Sequence, residues 1–284
     1  MLIKDWLSQK TDYLTSNSVA TARLDLLVLL QDALNIGKAT LLAKLDEELP
    51  AALMHKLDHQ IIRRANHEPL AYIRGRSEFY GRNFMVNSHT LQPRPETETM
   101  IDLLKSIIKL QIGSGPLFIL DIGTGSGCLA ITAKLEAPEA VVIATDISEN
   151  CLRLSRKNAD LIGAEVRFLR GDLIEPIAEK FLQTSILLTN LPYVPDSHTV
   201  NQAAMHEPKL AIFGGEDGLD LYRRLFKQIY NSKNKPRFIL TESLPFQHKQ
   251  LVQIANSSNY DLKMSEDFIQ VFEDITNSAV QLPA

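Results

Sequence analysis

Two cysteines, one tryptophan and the absence of any long apolar run are what this chain of 284 residues has least of. Cys128 and Cys151 cannot build a disulfide framework, so a reducing cytoplasmic setting is expected. The longest apolar runs, such as Leu26 to Leu30, fall far short of the roughly 20 residues that a bilayer span needs, and no membrane partner is expected. Met1 to Trp6 has no long apolar stretch behind a basic end, so no signal peptide is read there. An excess of positive charge is also missing. The 30 Lys+Arg stand against 34 Asp+Glu, a formal net charge of -4. That balance argues against a protein that coats nucleic acid, and no stable nucleic-acid partner is expected. With 13 glycines and 13 prolines, collagen-like and low-complexity readings fall away. The remaining composition, 45% hydrophobic and 23% charged, is that of a folded chain with one large or two smaller cores.

The first seventy residues read as helix. Leu24, Leu27, Val28 and Leu30 keep a helical period, as do Leu53, Leu57, Ile61 and Ile62. Gly37 and Pro50 punctuate them, and Trp6 is the expected anchor of this small bundle. Between residues 74 and 90 the pattern changes: Phe79, Phe84 and Val86 among Gly75, Gly81 and Asn87 predict a hairpin. A Pro-rich turn then runs into an amphipathic helix carrying Met100, Ile101, Leu103, Leu104, Ile107 and Ile108. From residue 116 short apolar strands alternate with helices: Leu117–Ile122, Val141–Thr145, Val166–Leu169, Ile186–Thr189 and Phe238–Thr241, with closing strands near Leu262 and at Ile269–Phe272. This predicts an α/β fold with a mostly parallel, doubly wound sheet.

Three motifs carry chemistry. Asp121-Ile122-Gly123-Thr124-Gly125-Ser126-Gly127 sits at a strand–helix junction, where glycines let the backbone approach a ligand closely. A dinucleotide fingerprint would place its third glycine at Cys128, and a P-loop would need a lysine that is absent. An acid followed by three alternating glycines instead resembles the S-adenosylmethionine loop of Rossmann-like methyltransferases. Asp146 follows about twenty residues later at a strand end, placed either to accept from both hydroxyls of a ribose or to cap a helix. Asp172, after the next strand, is a candidate for the adenine pocket.

The third motif is Asn190-Leu191-Pro192-Tyr193, expected at the same edge of the sheet. An Asn oxygen and the following carbonyl can accept both hydrogens of a planar NH2 group, Pro192 stiffens the turn, and Tyr193 can cover a flat substrate. Such a site suits methylation of an amide or exocyclic amine nitrogen. That lone pair is delocalised, and positioning rather than a strong base carries the acceleration.

Other groups admit plainer readings. His55 and His59 have a metal-compatible spacing but no third ligand, so a solvated helix face is expected and no metal. Cys128 is expected to pack as a small apolar residue at a helix start. Glu96 and Glu98 form a carboxylate pair or simply the acidic first turn of a helix. Arg74, Arg76, Arg82 and Arg94 face either an acidic partner or RNA, or simply solvent on the linker.

Several strings in order give the chain a wider resemblance. Pro69 to Gly75, Phe79-Tyr80-Gly81, Pro93-Arg94-Pro95-Glu96-Thr97-Glu98, the glycine loop, Asp146, Asn158-Ala159, Asn190 to Tyr193, Glu207-Pro208 and Gly214 to Asp220 together resemble the release-factor glutamine methyltransferases, the PrmC/HemK family. The resemblance implies a Rossmann-like seven-stranded methyltransferase domain over 93–284, an N-terminal helical substrate-recognition domain over 1–73 and a β-hairpin linker over 74–92. It implies transfer of a methyl group from S-adenosyl-L-methionine to the glutamine amide of the Gly-Gly-Gln motif of peptide chain release factors, by an enzyme expected to be a monomer. By position, Gly123, Thr124, Gly125, Ser126, Gly127, Asp146, Asp172, Leu173 and Asn190 would hold the cofactor. Asn190, Leu191, Pro192, Tyr193, Arg94 and Glu96 would meet the substrate, with Asn190, Pro192 and Tyr193 catalytic. Three departures stand out: Leu191 replaces the family's usual proline, the strand Ser185–Thr189 lacks its usual aspartate, and Ser243 replaces its glycine. Asn-Leu-Pro-Tyr also resembles the catalytic loop of ribosomal-RNA adenine dimethyltransferases. The alternative is therefore a methyltransferase for exocyclic amino groups of adenine or cytosine in rRNA or DNA.

Overall fold

In the computed structural model of the chain, residues 1–110, 116–183 and 185–276 are described. They form two compact units. The first comprises Met1–Gly75 with Val200–His206, and the second Arg76–Thr199 with Glu207–Ala284. The expected catalytic segment 93–284 includes residues 111–115, 184 and 277–284, which lie outside the described part.

The first unit holds five helices, α1 (Ile3–Ser16), α2 (Ala22–Leu34), α3 (Lys38–Ala43), α4 (Ala51–Ala65) and α5 (Leu70–Arg74). Gly37 and Pro50 stand at the N-caps of α3 and α4, as the punctuation implied. Trp6 lies 1% exposed among Leu7, Leu26, Leu30, Leu57 and Ile61. Two positions of the apolar pattern depart from it: Leu24 and Ile62 are exposed. On α2 the predicted Leu27 and Leu30 are buried, and they are joined by Leu26, Leu29 and Asp25, whose carboxylate accepts from Arg64 Nε at 2.7 Å. An ion pair thus takes a position that hydrophobicity alone would give to a leucine.

The second unit begins with the hairpin β1 (Arg76–Phe79) and β2 (Arg82–Met85), paired antiparallel. Helix α6 (Glu98–Leu110) follows and buries Met100, Ile101, Leu103, Leu104 and Ile107, the face its spacing predicted. Alternation then sets in: β3 (Phe118–Ile122), α7 (Cys128–Glu136), β4 (Val141–Asp146), α8 (Glu149–Ile162), β5 (Arg167–Arg170), β6 (Ile186–Thr189), α9 (Asp220–Asn231), β7 (Phe238–Glu242), α10 (His248–Asn256), β8 (Tyr260–Glu266) and β9 (Ile269–Asp274). Seven strands make one sheet in the order β5-β4-β3-β6-β7-β9-β8. The first five lie parallel and β9 antiparallel to both its neighbours. Successive side chains of a strand leave opposite faces. Ile119, Ile186, Leu188 and Leu240 accordingly join one apolar cluster, and Leu120, Ile122, Leu187 and Ile239 the other. Both faces are therefore covered, which is why these strands read as continuous apolar runs.

The strand order reverses between β3 and β6, so the loops leaving their carboxyl ends diverge. That divergence opens the crevice in which open α/β sheets bind ligands. Among the described residues no helix is long and apolar enough to cross a membrane.

Candidate active site

The glycine loop leaves β3 and turns into α7. Gly123, Gly125 and Gly127 hold φ values of +77°, +55° and +84°, the left-handed region that disfavours a side chain. Space enforces the same choice at Gly127, where a Cβ would fall 2.9 Å from Ser155 Cβ. Asp121 orders the loop from beneath: its Oδ2 accepts from Thr124 Oγ1 at 2.6 Å and from the Ala130 amide at 3.1 Å. Its Oδ1 is buried and has no hydrogen-bond partner among the described residues. Burial pushes this carboxyl up to about 7.

Asp146, the last residue of β4, joins the loop to the next helix. Its Oδ2 accepts from the Gly125 amide at 2.9 Å and its Oδ1 from the Ser148 amide at 2.8 Å. Ser148, not Asp146, caps α8, accepting from the Cys151 amide. Each carboxylate oxygen keeps a further lone pair. Burial raises the Asp146 pKa above the ordinary carboxylate value. Beside it, Thr145 donates to the Leu173 carbonyl at 2.9 Å, and Leu173 itself takes φ +52°. The Asp172 carboxylate is drawn to Arg224 and Gln228.

The segment after β6 is tethered on both sides. Thr189 donates from its hydroxyl to the Ile122 carbonyl at 3.0 Å, tying β6 to the glycine loop's strand. Leu191 is 4% exposed, and its Cδ2 lies 3.1 Å from where a Gly123 Cβ would stand. The residue that departs from the family pattern therefore fills the space left by the first glycine. Behind the loop, the Gly214 amide donates to the Val194 carbonyl at 2.9 Å. Gln247 Nε2 donates to the carbonyls of Tyr193 at 2.7 Å and Asp217 at 2.8 Å. A Cβ on Gly218 would lie 2.0 Å from the Tyr193 carbonyl oxygen, so this close packing needs glycine.

The Asn190 amide is held by a relay of side chains. Asn190 Nδ2 donates to Thr97 Oγ1 at 3.1 Å, and Thr97 Oγ1 donates to Glu242 Oε2 at 2.7 Å. Tyr193 donates from its hydroxyl to Glu242 Oε1 at 2.9 Å, and Tyr222 donates to the Glu242 carbonyl. Glu242 is 1% exposed. Burial raises its pKa, while the Thr97 and Tyr193 hydroxyls and the Asn190 amide pull it back. Burial, with the Glu242 charge, raises the Tyr193 phenol.

These segments enclose a cavity of about 420 Å³, within the range of small-molecule sites. Gly123, Thr124, Gly125, Ser126, Asp146, Asp172, Leu173, Asn190, Leu191, Pro192 and Arg94 all line it, and so do Thr97 and Cys128. Gly127, Tyr193 and Glu96 are not among its lining residues. Glu96 is exposed, and Tyr193 turns its hydroxyl to Glu242 instead of presenting it to the cavity. Glu98 accepts from the Tyr80 amide, so it does not pair with Glu96. Cys128 sits half-buried at the start of α7, its thiol pushed up to about 12 by burial. Three of the arginines read as facing a partner or solvent are engaged within their own unit: Arg74 with Asp32, Arg82 with Glu136 and Arg94 with Glu207. Among the described residues no group of three or more His, Cys, Asp or Glu side chains is placed to hold a metal ion.

Sequence reasoning missed the partnership of Thr97 and Glu242. The available signal was an acid ending the apolar strand Phe238–Glu242, where a carboxylate is buried only at a cost that partners must offset.

Comparison with known proteins bears on both units. Residues 5–75 match the family model for the PrmC N-terminal domain, and residues 102–207 that for the methyltransferase small domain. The chain is 35% identical to a release factor glutamine methyltransferase of Koribacter versatilis over 85% of this chain and 86% of that protein. It is 35% identical to one of Bacillus subtilis over 78% of each. Among solved structures, the hMettl16 catalytic domain in complex with an RNA hairpin superimposes with a TM-score of 0.54, at 13% identity, over 79% of this chain and 84% of that one. At that identity the likeness is one of fold.

Proposed function

The chain belongs to the release factor glutamine methyltransferase family, and from that premise we propose that it transfers a methyl group from S-adenosyl-L-methionine to a glutamine side-chain amide nitrogen, in the Gly-Gly-Gln motif of peptide chain release factors. The observation that carries the reading is the placing of Asn190. Its amide nitrogen is tied to Thr97, and the residue lines the same cavity as the glycine loop.

The residues present fit the cofactor. Asp146 keeps lone pairs for two ribose hydroxyls after satisfying two backbone amides. Leu173 and Ile147 offer apolar surface to a base. The open side of Gly125, where a Cβ would meet nothing within 4 Å, leaves the backbone bare to a ligand. When bound, the cofactor supplies an electrophilic methyl group on a sulfonium.

The chain's own residues hold the nucleophile. With its nitrogen committed to Thr97, the planar Asn190 amide offers Oδ1 as an acceptor, and the Leu191 carbonyl supplies a second. Two acceptors on one NH2 group fix the nitrogen and favour its rehybridisation, so that its lone pair can be aimed at the methyl. The product amide keeps one N–H and sheds one proton to solvent after transfer. Leu191 in place of proline leaves this chemistry intact, because its role is played by the backbone carbonyl.

The test incubates the protein with methyl-labelled S-adenosylmethionine and, separately, release factor, rRNA and DNA. Label on the release factor, lost when its Gly-Gly-Gln glutamine is replaced, is the expected result. Label in RNA or DNA alone would refute it and favour the amino-group alternative. Cofactor binding without any transfer would also refute it.

A further inference from the structure

We propose that Glu242 and Thr97 are positioning residues that decide which end of the Asn190 side-chain amide faces the substrate. The proposal rests on the functional reading above and goes beyond it to how the Asn190 amide is oriented. A carboxamide has two ends of nearly equal shape and opposite hydrogen-bonding sense. A half-turn of Asn190 would present an N–H to the N–H of the glutamine and abolish the grip. Nothing in Asn190 itself prevents that turn.

Thr97 and Glu242 break the degeneracy by proton counting. Glu242 accepts at both of its oxygens, and its Oε2, 2.7 Å from Thr97 Oγ1, takes the single threonine hydroxyl hydrogen. Thr97 Oγ1 is then left with lone pairs alone. The Asn190 group 3.1 Å from it must therefore be the NH2 end. The other carboxylate oxygen is occupied by the Tyr193 hydroxyl at 2.9 Å, so Glu242 is held from both sides. The relay runs one way, from Asn190 N–H to Thr97 and from Thr97 O–H to Glu242. Glu242 does not line the cavity, so it acts only through its neighbours.

The test uses the full chain and two readouts. In methyl transfer to release factor, Thr97→Val should lower kcat about 10²-fold, the scale of a misplaced reacting group. The KM for S-adenosylmethionine should stay near wild type, the thermal midpoint should fall because a buried Glu242 oxygen loses its hydroxyl partner, and Thr97→Ser should return both midpoint and kcat, the latter to within a few-fold. Independently of activity, the side-chain NH2 signal of Asn190 is followed by NMR in nitrogen-15-labelled protein without cofactor, assigned by its absence in Asn190→Asp. It should resist solvent exchange in wild type and Thr97→Ser and exchange rapidly in Thr97→Val. Glu242→Gln, whose single amide oxygen cannot take both hydroxyl hydrogens, is the second variant, with the same loss of protection expected should Thr97→Val fail to fold. A Thr97→Val kcat within twofold of wild type would overturn the proposal. So would an unchanged NH2 signal in the variants, or a kcat loss matched by lost cofactor affinity and not rescued by serine. A wild-type protein that methylated no release factor would sink the functional reading alone, because the NMR readout needs no transfer.

Discussion

The two walls of the cavity are built by different means. The wall made by the glycine loop and Asp146 is backbone. Three left-handed glycines shape it, and the carboxylate that ties it sits 21 positions from its partner, Gly125. The wall that carries Asn190 is side chain, and its contacts span 93 positions to Thr97, 49 from Tyr193 to Glu242 and 145 from Thr97 to Glu242. Backbone walls tolerate little substitution but specify themselves locally. Side-chain walls orient a single functional group and depend on residues that no local pattern connects.

The largest effect expected from breaking this contrast falls on the side-chain wall. Asn190→Ala should lower kcat by about 10²–10³-fold, as the loss of one preorganised polar group does elsewhere. Cofactor affinity and thermal midpoint should stay near wild type, read by steady-state kinetics, calorimetry and thermal melting. On the backbone wall the loss should appear in binding instead. Asp146→Ala removes an acceptor from Gly125, Ser148 and the proposed ribose, and should weaken S-adenosylmethionine binding by about 10–100-fold. Gly127→Ala should cost about 1–3 kcal/mol in chemical denaturation, because the new Cβ meets Ser155 and the φ of +84° is strained.

A smaller effect comes from the point where the walls touch. Leu191→Pro restores the family's usual residue and keeps the carbonyl, so kcat should change by less than about threefold. The buried packing against Gly123 is lost, which should cost about 1–2 kcal/mol of stability. The smallest is a pH effect beneath the loop. Burial holds the Asp121 carboxyl at about 7 in the folded protein, against an ordinary value near 4 in the unfolded chain. Between those values the folded state binds more protons, so Asp121 makes stability fall as pH rises from about 4 to about 7. Asp121→Asn should flatten that part of the thermal midpoint profile, and an unchanged slope would count against the assignment.

This contrast also explains what the sequence could tell. The glycine loop, Asp146 and Asn190 were legible because each obeys a local rule: a turn needing positive φ, an acid at a strand end, an Asn-x-Pro turn after an apolar strand. The strands were legible because burial on both faces makes them continuous apolar runs. Thr97 read only as a member of the Pro93–Glu98 string, and Glu242 was not singled out, since their meaning comes from a contact between segments 145 positions apart. Tyr193 shows the same limit. The motif put it over the substrate, yet it is not among the residues lining the cavity, and its hydroxyl serves a carboxylate 49 positions away. Leu24 and Ile62 misled for another reason: periodicity does not fix the edge of a buried face, and both are exposed while the charged Asp25 and Arg64 pair beside the apolar residues.

One measurement bears on the central claim most directly: a crystal structure of the protein with S-adenosylhomocysteine and a peptide carrying the Gly-Gly-Gln motif. The account predicts the glutamine amide nitrogen within hydrogen-bond distance of both Asn190 Oδ1 and the Leu191 carbonyl, facing the sulfur. A glutamine bound elsewhere, or an Asn190 whose nitrogen faces the peptide, would contradict it.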